Sequence, residues 1–545
     1  MISMTWVSNR MARRFIPFLM LLIASVATDL TCPDLRSVCT CGMKLVWHEG
    51  AWKNLAVVNC SSAGLVSIPN YSSLEGHEID MLILNNNNLT DIPPKAFRNL
   101  TVKELVLSRN PLKSIRQNLF APLKESLKKL ELQGVELYID DGLVFLSNLD
   151  QLRALDLGHN HLKNEYGELT EGIFDGLALN SLKTLGLRVL KLTKLKEGAF
   201  RGLPNLEELD ISINYLAEIP SELKHVKNLK VLNMYSNEIM ILKNGTFDGL
   251  TNLESLYFGA NEIVTIEEGA FAGLEDSLQR INFYHNALTS VPVDAIVNLR
   301  KLKMLGFAAN NIQTIENGTF LGEYKLEILE LDKNPLTYHE DMFTGVEDTL
   351  TTLFIRENKL TTLPLGALRK LKRLSHLDAA DNHITEIDKF FFGNLKLSKI
   401  SLMWNKISKV DPSAFKSLPN GIILDLYKNL LTDISFILKL EECKFEEVDV
   451  SSNPVICDCS LEEILNSGRV SIPIKGECSF PEDESKIYRF DSPQLMERLV
   501  ESCNRTQRYA FCWPAVSQAS STSIVTLITV LVALMTSITY LQPHV

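Results

Sequence analysis

The 545-residue chain has no surplus of positive charge, because 55 lysines and arginines stand against 66 aspartates and glutamates, a formal net charge of −11. Binding to nucleic-acid phosphates draws on an excess of basic residues, so we expect no nucleic-acid partner. Cysteine is scarce as well. Ten cysteines in so long a chain do not make a small disulfide scaffold, and they cluster towards the two ends.

Catalytic motifs are also missing. The sequence contains no His-Glu-x-x-His, no Gly-x-Ser-x-Gly and no glycine-rich phosphate-binding loop. The one close histidine pair, His159 and His161, lies at an ordinary strand-to-turn position, which argues against a metal site. We therefore expect no enzyme activity, no cofactor and no metal. Apolar residues make up 46% of the chain, which is enough to fill a large core.

The N-terminus has the features of a secretory signal peptide. Arg10, Arg13 and Arg14 precede an apolar run at residues 15–26, and small residues lead up to Ala27. The apolar run is short for a membrane span. We predict cleavage after Ala27, with a signal anchor as the alternative.

The C-terminus has the features of an anchor signal. Residues 524–541 are eighteen positions without a charge, and small polar residues precede them from Ser517 onwards. No lysine or arginine follows, although a stop-transfer helix normally has one there. Small residues before an apolar tail are typical of a glycosylphosphatidylinositol (GPI) signal, with Ser517 as the candidate attachment site. A single-pass helix and full secretion are the alternatives. Either kind of anchor places the chain on the extracellular face of the plasma membrane.

One repeat fills the middle of the chain. The run Ile79-x-x-Leu82-x-Leu84-x-x-Asn87-x-Leu89 returns sixteen times in steps of 23 to 25 residues, with one step of 30. Its second apolar position, called the alignment position below, is held by Leu82, Leu105, Leu130, Leu155, Leu185, Leu209, Leu232, Leu256, Ile281, Leu305, Leu329, Leu353, Leu377, Ile400, Leu424 and Val448. Apolar residues two apart lie on one face of a short strand. A single repeat cannot bury that face alone, so neighbouring repeats must stack into a solenoid.

This pattern resembles the leucine-rich repeat of the long extracellular type, over roughly residues 55–503. The resemblance implies an α/β-type solenoid, a horseshoe of about 16 repeats with a parallel sheet on its concave face and disulfide caps at its ends. We expect the chain to be organised as a signal peptide (1–27), an N-terminal cysteine cap (28–70), leucine-rich repeats (71–453), a C-terminal cysteine cap (454–503), a stalk (504–523) and a hydrophobic tail (524–545).

Two columns of the repeat are predicted to be structural. Asparagine stands five residues past the alignment position in fourteen of sixteen repeats, and Val135 and Leu190 replace it in the others. An amide side chain can both donate to and accept from the backbone of a buried turn. The second column is predicted to be a packed aromatic spine. It consists of Phe97, Phe120, Phe174, Phe200, Phe247, Phe271, Phe320, Phe343, Phe392 and Phe415.

The cysteines flank the repeats and resemble the end caps of extracellular leucine-rich repeat proteins. That resemblance implies the pairs Cys32–Cys41, Cys39–Cys60, Cys457–Cys478 and Cys459–Cys503, while the sequence alone allows other pairings. Cys443 and Cys512 are left over, and whether they pair with each other stays open. Seven glycosylation sequons are present, and none is expected on a strand. They are Asn59, Asn70, Asn88, Asn99, Asn244, Asn317 and Asn504.

Ligand-contact candidates come from the positions one before, one after and three after the alignment position, which face outward on the concave sheet. One set consists of Tyr235, Tyr257 and Tyr284 with Asn233, Arg280 and Asn282, and the other of Phe354, Arg356, Asp378 and Tyr427 with Trp404 at the strand's edge. Exposed aromatics beside arginine are typical of binding hot spots, although aromatics also suit strand surfaces in general. Outward aspartates are expected to have a structural or solubility role. The long step should bulge as a loop at residues 163–179, either as a binding insertion or as an ordinary surface loop.

The functional prediction is a cell-surface glycoprotein that binds another protein through its concave face, in cell adhesion or extracellular recognition. The plan resembles glycolipid-anchored adhesion proteins of the connectin and chaoptin kind, and the ectodomains of Toll-type receptors and Slit. The partner would be an extracellular protein, or the same protein on another cell. A weaker similarity to the non-catalytic subunit of an arthropod luciferase suggests a subunit of a secreted complex instead. A co-receptor for microbial ligands is the third possibility.

Overall fold

The structure is a computed structural model and describes residues 32, 35, 38–48, 50–439, 444–466 and 474–503. The predicted signal peptide, Cys443, Asn504, Cys512, Ser517 and the apolar tail lie outside the described residues. The described residues divide into two compact units, one formed by those up to 306 with 322–324 and the other by 307–321 with those from 325 onwards.

The first unit is a stack of short strands joined by turns. Its strands are β1 (Thr40–His48), β2 (Ala51–Asn59), β3 (Glu78–Ile83), β4 (Thr101–Val106), β5 (Lys129–Glu131), β6 (Ala154–Asp156), β7 (Glu168–Leu169), β8 (Thr184–Gly186), β9 (Lys194–Leu195), β10 (Glu208–Asp210), β11 (Val231–Asn233), β12 (Ile241–Leu242), β13 (Ser255–Tyr257), β14 (Thr265–Ile266), β15 (Arg280–Asn282) and β16 (Met304–Gly306). Its helical turns are α1 (Val293–Ile296) and the 3-10 segments Ser72–Leu74, Ala121–Leu123, Ile139–Asp141, Val144–Leu146 and Ser221–His225.

The second unit continues the same pattern and ends in a different one. Its strands are β17 (Ile328–Glu330), β18 (Thr352–Phe354), β19 (His376–Asp378), β20 (Glu386–Ile387), β21 (Lys399–Ser401), β22 (Lys409–Val410), β23 (Ile422–Asp425), β24 (Phe445–Asp449), β25 (Ile474–Lys475), β26 (Glu477–Phe480) and β27 (Asp483–Arg489). Its helices are α2 (Leu365–Leu368), α3 (Cys459–Asn466), α4 (Pro493–Cys503) and the 3-10 segments Pro412–Phe415 and Ser435–Lys439.

Each unit is built on a parallel sheet whose register is set by the alignment position. In the first unit, Leu209 of β10 lies opposite Leu232 of β11, which in turn lies opposite Leu256 of β13. In the second unit, Leu353 of β18 lies opposite Leu377 of β19 in the same way. These leucines are at most 2% exposed. The predicted fold class, a parallel-sheet solenoid of leucine-rich repeats with disulfides at its ends, is confirmed.

The sheet begins one strand earlier than the repeat pattern predicts. Val58 of β2 lies opposite Leu82 of β3 in the register of the later repeats, which brings the solenoid to about 17 turns. The pattern misses this turn because Ala63 stands where the asparagine is expected. The expectation that no sequon falls on a strand is therefore wrong, since Asn59 is the last residue of β2.

The asparagine column joins neighbouring turns, as predicted. The Asn261 amide nitrogen donates to the carbonyls of Met234 and Phe258, at 2.9 and 3.0 Å. Its Oδ1 accepts from the backbone N–H of Ile239 at 3.1 Å. One side chain thus satisfies backbone groups in two successive turns, and its removal would leave buried polar groups without partners.

The predicted phenylalanine column is a buried spine, with all ten rings at most 1% exposed. Phe247 and Phe271 stack with centroids 5.9 Å apart and planes 9° apart. A second aromatic layer was not predicted: Phe258 and Phe283, two residues past the alignment position, stack at 6.0 Å. The core of these turns is therefore aromatic on two sides.

Among the described residues, four disulfides close the two ends. They join Cys32 to Cys41, Cys39 to Cys60, Cys457 to Cys478 and Cys459 to Cys503, the same pairs that the family resemblance implies. At the N-terminal end β1 and β2 form an antiparallel hairpin. At the C-terminal end the antiparallel pair β26–β27 and helices α3 and α4 follow the last parallel strands. The caps end the repeats with structures that present no further repeat face.

The long step between Leu155 and Leu185 bulges over only part of its length. Glu165 and Tyr166 are exposed, with Tyr166 at 78%, whereas Leu169 and Phe174 are completely buried. The segment re-enters the solenoid because β7 pairs in parallel with β9. Part of the predicted loop is thus core.

The position four residues past the alignment position adopts a left-handed backbone in every repeat, with residues of very different kinds. Its φ is +55° at Ile213, +56° at Ser236, +53° at Ala260 and +56° at Trp404. Left-handed backbone is unfavourable for branched and bulky side chains. The repeat geometry imposes the turn regardless of the residue that occupies it.

Candidate protein-binding surface

The first candidate set lies together on the outward face of three neighbouring strands in the first unit. Asn233 of β11 lies opposite Tyr257 of β13, and Tyr257 lies opposite Asn282 of β15. We call the six residues Asn233, Tyr235, Tyr257, Arg280, Asn282 and Tyr284 the tyrosine surface. Tyr235, Tyr257 and Tyr284 are 40%, 36% and 44% exposed.

A glycine makes room for these rings. A Cβ added to Gly259 would lie 2.9 Å from the Tyr235 ring and 3.2 Å from the carbonyl oxygen of Tyr284. The absence of a side chain there lets Tyr235 lie across the neighbouring turn. Sequence reasoning did not identify Gly259, although its place three residues past Leu256 marked it as an outward position.

The two asparagines of this surface fix the backbone on which the tyrosines stand. The Asn233 side-chain oxygen accepts from the backbone N–H of Tyr235 at 3.1 Å, and that of Asn282 accepts from Tyr284 at 2.8 Å. The outward aspartates make the same contact with the N–H two residues further on, at 2.8 to 3.1 Å, namely Asp156, Asp210, Asp378, Asp425 and Asp449. These carboxylates are structural, as expected from the sequence.

The tyrosine surface carries a single charge. Each of β11, β13 and β15 contributes three outward positions, two in the strand and one just after it. These nine positions hold three tyrosines, two asparagines, valine, serine, glycine and Arg280. Large amphipathic rings with one guanidinium and two amides can bury area and fix orientation without many charges to desolvate.

The second candidate set divides into two groups in the second unit. Arg356 forms an ion pair with Asp378, and its backbone N–H donates to the Asp332 carboxylate at 2.7 Å. Its guanidinium carbon lies 5.9 Å from the Phe354 ring centroid. Arg356 is exposed, and Phe354 and Asp378 are half-buried.

Trp404 and Tyr427 form a separate pair. Their ring centroids are 6.4 Å apart, and Trp404 is 46% exposed. The Lys428 ammonium lies 3.4 Å from the Trp404 ring centroid, so this ammonium covers one face of the indole. Trp404 stands at the left-handed position, just beyond the strand β21.

Sequence reasoning missed two carboxyl groups beside Arg356. Burial raises the pKa of Asp332 to about 7, although the N–H and the guanidinium of Arg356 act in the opposite direction. Burial also raises the pKa of Glu330, again against the attraction of Arg356. Both residues occupy outward positions around Leu329, so the period-two pattern was the available signal.

Five of the seven predicted glycosylation sites lie outside the strands. Asn59 is partly exposed at the end of β2, and Asn504 lies outside the described residues. The remaining five, Asn70, Asn88, Asn99, Asn244 and Asn317, are exposed and none lies on a strand. Within the described residues, no group of three or more histidine, cysteine, aspartate or glutamate side chains is arranged to hold a metal ion.

A family model for the leucine-rich repeat matches residues 77–137, 180–239, 227–282 and 276–336. The turns at these residues match leucine-rich repeats, in agreement with the fold of the chain. The match covers the turns that carry the tyrosine surface.

Curated relatives extend this result. The transforming growth factor beta activator LRRC33 of Danio rerio is 24% identical over 448 residues, 75% of this chain and 64% of that protein. Chaoptin of Drosophila melanogaster is 28% identical over 208 residues, 37% of this chain and 15% of chaoptin. The predicted resemblance to chaoptin is confirmed. The chain spans less than two thirds of the length of these curated relatives.

A solved leucine-rich repeat protein of Leptospira interrogans shares the fold. It has a TM-score of 0.53 and 22% sequence identity, and the alignment covers 73% of this chain and 90% of that one. Across the part of the chain that the structure describes, every helix is too short or too polar to cross a membrane.

Proposed function

We propose that this leucine-rich repeat protein is a cell-surface glycoprotein that binds an extracellular protein, or a copy of itself on another cell, through its tyrosine surface. The observation that carries the proposal is the placement of Tyr235, Tyr257 and Tyr284 on one outward face beside Arg280. Tyrosine and arginine are the residues on which binding energy concentrates at protein interfaces. The protein acts in adhesion or recognition and not as an enzyme.

The layout predicted from the sequence is part of this proposal. A signal peptide at residues 1–27 directs the chain out of the cell, and the segment after Ser517, which includes the tail at residues 524–545, is exchanged for a GPI anchor. The name of the Danio rerio relative, an activator of a growth factor, supports an extracellular protein ligand. The first test of the anchor is treatment of expressing cells with a phosphatidylinositol-specific phospholipase, which should release the protein.

A cell-mixing assay tests the binding function. Full-length protein is displayed on non-adherent cells, and labelled expressers are mixed with unlabelled expressers or with blank cells. Clumping among expressers alone supports adhesion between copies, and clumping with blank cells supports a common surface ligand. Absence of clumping despite confirmed display would contradict an adhesion function and would favour a co-receptor or a subunit of a secreted complex.

A further inference from the structure

The N-terminal hairpin carries an apolar face that is open to solvent. Met43, Leu45 and Trp47 alternate along β1, so their side chains lie on one face of the hairpin. Trp52 of β2 lies opposite Trp47, and their ring centroids are 5.6 Å apart in edge-to-face geometry. In chain order these four side chains are 37%, 47%, 57% and 57% exposed. Contiguous exposed apolar side chains of this size mark an interaction surface.

The same hairpin ends the sheet with an open strand edge. Among the described residues, β1 pairs only with β2, and β2 pairs with β3 on its other side. His48 and Ala51 close the hairpin around a two-residue loop, and such a closing pair exchanges both of its backbone hydrogen bonds. Alternation then directs the N–H and C=O groups of Met43, Leu45 and Trp47 to the open edge. Lys44 is the only lysine of β1, and the strand has no proline, so little protects this edge from pairing.

The occupant of this edge has to be another strand. A lipid surface offers no backbone groups for the N–H and C=O groups that β1 directs to this edge. A second copy of β1 satisfies the edge and the apolar face together. A two-fold axis at Leu45 places Leu45 opposite itself, and Met43 opposite Trp47 of the second copy. Lys44 then lies opposite Val46, whereas an axis at Lys44 would set two lysines against each other.

We propose that two copies of this chain associate by antiparallel pairing of their β1 strands, centred on Leu45. The pairing joins the two apolar faces on one side of a continuous sheet, in an interface that is the same from both copies. The disulfides Cys32–Cys41 and Cys39–Cys60 hold the start of β1 before it pairs, which lowers the ordering cost. The face is small beside the roughly 800 Å² per partner of a standard interface, so the association is weak and depends on high local concentration.

Cysteine cross-linking on the full-length chain tests the proposal. Leu45→Cys protein, displayed on dispersed cells and treated with a mild oxidant, should run as a disulfide-linked dimer on a non-reducing gel. Opposed residues in an antiparallel pair have Cα atoms about 5.5 Å apart, within the range that a disulfide spans. Met43→Cys is the matched control, because it lies on the same exposed face. Its two copies would be four residues apart along the strand, beyond the roughly 7 Å limit, and should give at least tenfold less dimer.

A mixed experiment checks the register separately. Cells that co-express Met43→Cys and Trp47→Cys chains with different tags should form the mixed dimer. A Leu45→Cys chain that remains monomeric would overturn the proposal, as would equal dimer from Met43→Cys or a Leu45→Cys cross-link to a different protein. The readout is made on dispersed cells, so it does not depend on whether the tyrosine surface binds its ligand.

Discussion

The carboxyl groups on the outward face have different roles. The aspartates just after the alignment position accept a backbone N–H two residues on, and so they support the strand end. Asp332 stands two residues further along and is shielded from water beside Glu330 and Asp378. Its location and burial, not its residue type, determine its protonation.

Asp332 should make the stability of the second unit depend on pH. Its folded pKa of about 7 lies above the ordinary value of 3.8, so the folded state holds an extra proton between these pH values. The free energy of unfolding therefore falls as pH rises from about 4 to about 7. Asp332→Asn should raise the free energy of unfolding at pH 7.5 by about 1–2 kcal/mol. This gain is smaller than full burial would give, because the carboxyl is not completely shielded from water.

Urea unfolding of the purified protein at pH 4.5, 6.0 and 7.5 measures this effect. Asp381→Asn, an exposed aspartate of the same unit, is the control and should follow the wild type. A variant Asp332→Asn with the wild-type pH profile would show that the carboxyl does not keep its proton near neutrality.

The Asn column was predictable at the residue scale, because an amide at a fixed place in a buried turn has one obvious use. The left-handed position was not predictable. Its residues include Ile213, which is disfavoured at positive φ, and Trp404, so composition gave no signal. Gly259 and Asp332 were missed for a related reason, since only their neighbours across the sheet give them a role.

The inserted segment shows how one side chain orders an element. The Asp140 carboxylate accepts from the backbone N–H of Lys163 at 2.8 Å and from the Asn164 amide nitrogen at 2.9 Å. Partial burial alone would raise the pKa of Asp140, but these hydrogen bonds outweigh it and lower the pKa. The Asn164 amide group in turn donates to the carbonyl and accepts from the N–H of Glu168 at the start of β7.

Asp140→Ala should release this segment. We expect amide hydrogen exchange at residues 163–168 to become at least roughly tenfold faster, because charge-assisted hydrogen bonds contribute about 1.5–3 kcal/mol each. Asp150→Ala, which removes an exposed carboxylate nearby, is the control. Since the pKa of Asp140 is lowered, the protection should persist in mild acid and disappear as pH falls through the folded pKa. Unchanged exchange in Asp140→Ala would mean that β7 pairing with β9 orders the segment by itself.

The sixteen strands that contain the alignment positions were predictable because these apolar residues recur at nearly constant steps. Strand β2 was missed because its turn lacks the asparagine. The two-residue strands β7, β9, β12 and β14 form by pairing between neighbouring turns. They are too short to show an alternation of apolar and polar residues in the sequence. Part of the predicted loop proved to be core for the same reason.

At the scale of the whole molecule, three stacked turns carry the tyrosine surface, which is aromatic and has a single charge. The sequence identified the tyrosines because the period-two pattern states which strand positions face outward. It could not show that Tyr235 lies across Gly259, or that Lys428 covers Trp404, since both depend on contacts between turns.

The most direct test of the central claim is the cell-mixing assay with paired tyrosine variants at equal surface display. Tyr257→Ala with Tyr284→Ala should reduce clumping by roughly tenfold or more, as loss of interface hot spots does. The control is Tyr138→Ala with Tyr166→Ala, which removes tyrosines that are 44% and 78% exposed elsewhere in the same unit. The account predicts that the control clumps like the wild type. Equal clumping by both double variants would contradict the claim that the tyrosine surface is the binding site.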